Sequence, residues 1–199
     1  MRTADRSENP LNICVFCSSS DNLDDAFYED ARKVGKHIAA RGWGIVYGGT
    51  RIGLMGEIAR TVLNSGGRVT GVIPEHILSR GIALNDCTEL IVTPGMSERK
   101  NTMIEISDVF IALPGGFGTL EEIMEVITLK QLQIIDKPVL FLNTLNYYQH
   151  LNDFFEKVFE HRFTAGKFRE LYHMAAEPGE LFSYIDSYKP LRFTDKWTE

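Results

Sequence analysis

The chain is short of basic charge, of cysteine and of long apolar runs. Its 199 residues carry 21 lysines and arginines against 27 aspartates and glutamates, a formal net charge of −6. Surfaces that hold nucleic acid or an anionic membrane usually show a basic excess, so neither partner is expected. No apolar run approaches the roughly 20 residues that span a bilayer. The polar start, residues 1–10, has no signal-peptide core, and a cytoplasmic location is expected. Three cysteines, Cys14, Cys17 and Cys87, are too few and too odd a number for a disulfide framework. Cys14 and Cys17 form a C-x-x-C, but they fall within an expected strand, where residues three apart point to opposite faces. No second pair completes a zinc site. All three read as packing residues, and neither a metal nor a cofactor is expected.

What the chain does have is a regular alternation. Apolar, β-branched-rich runs predict strands at 13–17, 44–47, 69–73, 89–92, 108–112 and 138–142, with a short edge strand at 173–176. Between them, helical spacing predicts helices over about 25–40, through Ile58, Ala59, Val62 and Leu63 to a stop at Gly66-Gly67, and over 97–107, 120–132, 147–161 and 179–188. Asp24 or Asp25 caps the first of these. A helical turn is expected over 167–172, and residues 75–88 are ambiguous. The pattern implies an α/β fold, a Rossmann-like doubly wound parallel sheet of about seven strands in a single domain. That domain is expected over 12–189, between a flexible N-terminus (1–11) and a C-terminal tail (190–199). Ligands in such sheets bind beyond the carboxyl ends of the strands. Three loops lie there, 18–25, 48–53 and 114–119, and should converge on one crevice.

The most telling stretch is Pro114-Gly115-Gly116-Phe117-Gly118-Thr119-Leu120-Glu121-Glu122, where a buried strand hands over to a helix. Gly115, Gly116 and Gly118 can take positive φ and have no Cβ, so a ligand can lie on the backbone. The helix start offers unpaired N–H groups and a positive dipole end, a seat for phosphate. Two readings of the acids are open. Thr119 to Glu122 fits a capping box, with Glu121 a surface acid; alternatively Glu122 is a site carboxylate. A dehydrogenase is not expected, because G-x-G-x-x-G would need glycine at 121, and the loop after the first strand has none. At another helix start, Arg99 and Lys100 oppose the helix dipole, which suits a nearby anion, although two solvated cations would look the same.

These motifs together resemble the Lonely Guy family of cytokinin riboside 5′-monophosphate phosphoribohydrolases, long mislabelled lysine decarboxylases. The P-G-G-x-G-T-x-x-E motif is matched by 114–122 and M-x-x-R-K by Met96 to Lys100. Tyr47-Gly48-Gly49 with Gly53-Leu54-Met55-Gly56 looks like the family's second glycine motif, and the similarity covers about residues 12–160. The resemblance implies hydrolysis of the N-glycosidic bond of a purine nucleoside 5′-monophosphate (AMP or a cytokinin nucleotide) in a homodimer. Arg99 and Glu122 would be the catalytic pair, Arg99 orienting Glu122 or binding ribose and phosphate. Gly115, Gly116, Gly118 and Thr119 would hold the phosphate, with Lys100, Glu121, Gly48, Gly49, Thr50 and Ser19 completing the substrate set. Because the helix dipole favours the anion, Glu122 is expected to stay ionised and to stabilise an oxocarbenium-like transition state. No residue stands out to protonate the leaving base.

Three departures bear on specificity. Thr50 replaces a common glycine, which narrows that loop or adds a hydroxyl contact. Ser97 replaces a histidine common in plant members, and Gly81 stands where they often carry a base-contacting glutamate. The last points away from cytokinin and towards AMP. A non-catalytic nucleotide or molybdenum-cofactor carrier on the same fold is the rival reading. A pyridoxal phosphate decarboxylase is not expected, since Lys100, beside Arg99, is placed as an anion ligand.

Overall fold

The computed structural model describes residues 10–191; most of the expected N-terminal segment and C-terminal tail lies outside that range. Seven parallel strands form one sheet in the order β4-β3-β2-β1-β5-β6-β7. They are β1 (Asn12–Phe16), β2 (Gly44–Tyr47), β3 (Arg68–Pro74), β4 (Glu89–Thr93), β5 (Val109–Ala112), β6 (Val139–Leu142) and β7 (His173–Ala175). The helices are α1 (Asp25–Ala40), α2 (Gly53–Asn64), α3 (Glu75–Leu78), α4 (Met96–Ile106), α5 (Phe117–Gln131), α6 (Gln149–Glu160) and α7 (Pro178–Ser187). The chain builds outward from β1 to β4, then returns to β5 on the other side of β1. That reversal, with Ile13 to Phe16 registered on Val109 to Ala112, is the switch point at which a crevice opens.

Both faces of the sheet are covered, which is why the central strands read as continuous apolar runs. On one face Ile13, Val15, Ile45 and Ile111 pack against Val34 and Ile38 of α1, Ile58 and Val62 of α2, and Leu181 of α7. On the other, Cys14, Phe16, Phe110 and Phe141 meet Met103 of α4, Ile123 and Val126 of α5 and Phe155 of α6. Burying each such large side chain contributes about 1.5–3 kcal/mol. Cys14 and Cys17 lie in opposite layers, as expected, and both thiols are held up by burial. No described helix is long and apolar enough to cross a membrane.

Local signals placed most boundaries. Asp24 caps α1, its carboxylate accepting from the Ala26 N–H at 2.9 Å. The ambiguous stretch 75–88 turns out to carry the four-residue α3 and then a segment bridged to the second glycine turn, with Thr50 and Ala83 paired. The helix expected from 147 starts two residues later, after a 3-10 turn at Thr144–Asn146.

Candidate active site

The three expected loops do meet. Ser18, Ser19 and Ser20 after β1, Gly48, Thr50 and Ile52 after β2, and Gly116, Gly118 and Thr119 after β5 line one crevice of about 460 Å³. Arg99 and Glu122 lie within it, and Ile77, Arg80 and Ile82 come from the stretch after β3. That volume is in the range of small-ligand sites.

Its centre is an ion pair. Arg99, on α4, donates from Nη1 to Glu122 Oε1 on α5, and both residues are only 5% exposed. Arg99 also donates from Nε to the Val72 carbonyl at 3.0 Å, fixing the fork in one orientation. Gly48 permits this. A Cβ there would collide with Arg99 Nη2, so only glycine lets the guanidinium lie on the β2 turn. Removing one member of such a pair strands a buried charge, a cost of about 3–5 kcal/mol.

The structure corrects several local readings. Thr119 is not the cap of α5. Gly116 holds that position without a side-chain hydrogen bond, and Thr119 is the third helical residue. Glu122 therefore does not reach back to cap; its carboxylate turns to Arg99 instead. Nor do Gly115, Gly116 and Gly118 take positive φ. Gly115 is needed because a Cβ would strike the Thr119 side chain, while beside Gly116 and Gly118 there is open space. Burial, not the helix dipole, dominates the Glu122 carboxyl and pushes it above the usual range, with the Arg99 guanidinium holding it down in part.

Lys100 and Glu121 are drawn away from the crevice. Lys100 pairs with Glu121, and with Glu125 at 2.9 Å, which ties α4 to α5. The Glu121 hydrogen bond, then that to Glu125, raises the Lys100 ammonium and keeps it protonated. Thr50 lines the crevice, and its hydroxyl donates to Met55 Sδ at 3.3 Å. Gly49 sits behind the lining, its φ of 78° placing it against Ile73.

Sequence reasoning missed the wall made by Ile77, Arg80 and Ile82. Their loop is fastened by long-range bonds, Arg51 N to Ile82 O at 2.9 Å and Leu84 N to Gly49 O at 3.0 Å. No local spacing signals that. It also missed Tyr147, whose hydroxyl donates to the Gly115 carbonyl at 2.7 Å. Among the described residues no group of three His, Cys, Asp or Glu could hold a metal.

Comparison with known proteins gives a consistent result. A family model described as "Possible lysine decarboxylase" matches residues 55–185. A "Probable cytokinin riboside 5'-monophosphate phosphoribohydrolase" of Oryza sativa subsp. japonica, LOGL6, is 42% identical over 178 residues, 89% of this chain and 71% of that one. The Arabidopsis thaliana cytokinin riboside 5'-monophosphate phosphoribohydrolase LOG1 is also 42% identical, over 89% of this chain and 84% of its own. Among solved structures, the molybdenum cofactor carrier protein of Chlamydomonas reinhardtii aligns with a TM-score of 0.70 at 25% identity, covering 89% of this chain and 97% of that one. The molybdenum cofactor binding protein of Rippkaea orientalis gives 0.70 at 22%, over 90% and 98%, a likeness of fold.

Proposed function

We propose a reaction for this chain, which belongs to the Lonely Guy family of cytokinin riboside 5′-monophosphate phosphoribohydrolases: hydrolysis of the N-glycosidic bond of a purine nucleoside 5′-monophosphate to free base and ribose 5-phosphate. The observation that carries it is the buried Arg99–Glu122 pair, opening on a crevice beside the uncapped start of α5. The 5′-phosphate sits on the first N–H groups of α5, against Gly116, Gly118 and Thr119. Ser19 and Thr50 border the sugar. C1′ then lies over Glu122, whose carboxylate stabilises the cationic ribose and accepts a proton from the attacking water. Arg99 is the positioning partner that fixes Glu122 and favours its carboxylate form.

Lys100 and Glu121 have no direct place in this scheme; their pairing holds α4 and α5 together at the site. The name of the family model points to pyridoxal phosphate, and the residues do not fit that group. Its aldehyde needs a neutral lysine in the crevice, whereas no described lysine lines it and Lys100 is held charged by two carboxylates. AMP is favoured over cytokinin nucleotides by Gly81, whose φ of 68° is a conformation glutamate takes only with strain. The partner is a small nucleotide, not a nucleic acid, in a cytoplasmic homodimer. The dimer is supported by apolar side chains left open just after α5, Leu132 at 42% and Ile134 at 65% exposed, and light scattering that returned a monomer would remove it.

The test is base release. Purified protein is incubated with AMP and, separately, with isopentenyladenosine 5′-monophosphate, and free base is measured by chromatography. Release from AMP is expected, falling by about 10³-fold in Glu122→Gln with nucleotide binding retained. Release from the isopentenyl nucleotide alone would restore cytokinin specificity. Binding of both without release would make the chain a nucleotide carrier.

A further inference from the structure

Cleaving the C1′–N9 bond leaves an electron pair on the purine, and the scheme above names nothing to receive it. Among the described residues, the charged side chains lining the crevice are three, Arg80, Arg99 and Glu122. Arg99 and Glu122 are spent on one another. Arg80 is exposed and pairs with no carboxylate among the described residues. We propose that Arg80 is a catalytic residue for leaving-group departure, its guanidinium donating hydrogen bonds to the purine as negative charge develops there. The inference rests on the reaction proposed above.

Position supports it. The phosphate seat follows β5, and Arg80 follows β3; between these strands stand β1 and β2. Three strand spacings are roughly 14 Å, so Arg80 belongs to the far end of the crevice from the phosphate. A nucleotide laid along it, phosphate at α5 and C1′ over Glu122, brings its base to the β3 end. Ile52, Ile77 and Ile82 there form an apolar wall suited to a purine face. Arg80 is held at this wall by its backbone. Its N–H bonds to the Ile77 carbonyl at 3.0 Å, Arg51 Nη2 donates to the Gly81 carbonyl at 3.3 Å, and the Thr50–Ala83 bridge closes the turn.

The balance is simple. Water adds to C1′ and loses a proton to Glu122, the C1′–N9 electrons pass to the purine, and the base takes its proton from solvent. Arg80 donates hydrogen bonds and transfers no proton, since a guanidinium stays protonated in proteins. A positioned donor facing developing charge is worth about 100-fold or more in rate.

The experiment compares AMP with 7-methylguanosine 5′-monophosphate, whose base is already cationic and leaves neutral. In Arg80→Ala, kcat on AMP should fall about 100-fold with KM little changed, kcat on the methylated nucleotide should hold, and Arg80→Lys should recover part of the loss. Equal losses on both substrates, a rise in KM alone, or no loss on AMP would each overturn the proposal, the second by making Arg80 a binding residue only. If wild-type protein releases no base from either nucleotide, the reaction itself fails, and that is read before any variant is compared.

Discussion

Two glycine-rich turns leave this sheet on either side of β1, and they are built for opposite ends. The turn after β2 feeds α2, and the turn after β5 feeds α5. At α2 the protein supplies its own anion. The Asp21 carboxylate accepts from the Gly53 N–H at 2.9 Å, and the Ser18 carbonyl takes the Met55 N–H at 3.2 Å. At α5 no described side chain caps the helix, and among the described residues no atom beyond the local backbone lies within 4 Å of where a Cβ would stand on Gly116 or Gly118. Glycine content does not separate the two. What separates them is whether the positive end of the helix is already answered. The closed turn carries a wall of the crevice, and the open one is where the proposed reaction seats its phosphate.

The largest effect expected from breaking this contrast is at Gly53. Its φ is +58°, and a Cβ would come within 2.6 Å of the Ser19 carbonyl carbon and 2.7 Å of the Ser20 oxygen. Gly53→Ala should therefore cost at least about 2 kcal/mol, seen as a Tm lowered by about 4–8 °C or more. Gly118→Ala should do the reverse. Its methyl enters open space, so Tm should hold, while KM for the nucleotide rises about 10- to 100-fold, the loss of one or two charge-assisted bonds. Equal Tm losses in both variants would erase the distinction between the turns.

How much of this was legible in the chain follows from the range of the forces involved. The strands were plain because both faces of the sheet are dry, so Ile13 to Phe16 and Val109 to Ala112 are uninterrupted apolar runs. The Asp24 cap was plain because donor and acceptor are two residues apart. The start of α5 was misplaced for the same reason in reverse. Thr119 and Glu122 satisfy a local capping pattern, but Arg99, 23 residues away, competes for the same carboxylate and wins. The wall at 77–82 was illegible because its place is set by bonds to residues 49–51, about 30 positions back. Long-range bonds leave no spacing to read.

The open turn also sets a pH signature. The proposed reaction uses Glu122 as a carboxylate, and burial raises its carboxyl above the usual range against the pull of Arg99. A raised carboxyl holds its proton to higher pH, so activity should fall as pH drops through a value above the ordinary carboxylate range of about 4.3. A plot of kcat/KM on AMP against pH should place its acid limb there. A limb at or below the ordinary value would mean that the guanidinium, not burial, governs the site.

The closed turn should respond to loss of its anion by a smaller amount. Asp21→Ala removes the carboxylate from the first N–H of α2 and should cost about 1 kcal/mol, the usual worth of a helix cap. Denaturant unfolding measures it. A variant with unchanged midpoint would show that backbone contacts, such as Met55 N to Ser18 O, are enough to close that turn.

The smallest effect expected is at Tyr147, and it tests why the open turn stays open. Two tyrosines after β6 reach the strand-to-helix segment from behind. Tyr148 Oη donates to the Leu113 carbonyl at 2.8 Å, and Tyr147 Oη to that of Gly115 at 2.7 Å. Both bonds fix carbonyls of the segment that leads into α5. Tyr147 is 48% exposed and its ring rests edge-on against Phe27 and Tyr148, so Tyr147→Phe keeps the packing and deletes one hydrogen bond. Such a bond is worth about 1 kcal/mol. If it orients the phosphate seat, KM should rise roughly fivefold at unchanged kcat, since 1.4 kcal/mol is tenfold, and Tm should barely move. If Tm falls and KM holds, the tyrosine is only a brace, and the geometry of the open turn is held by Gly115 against Thr119 alone.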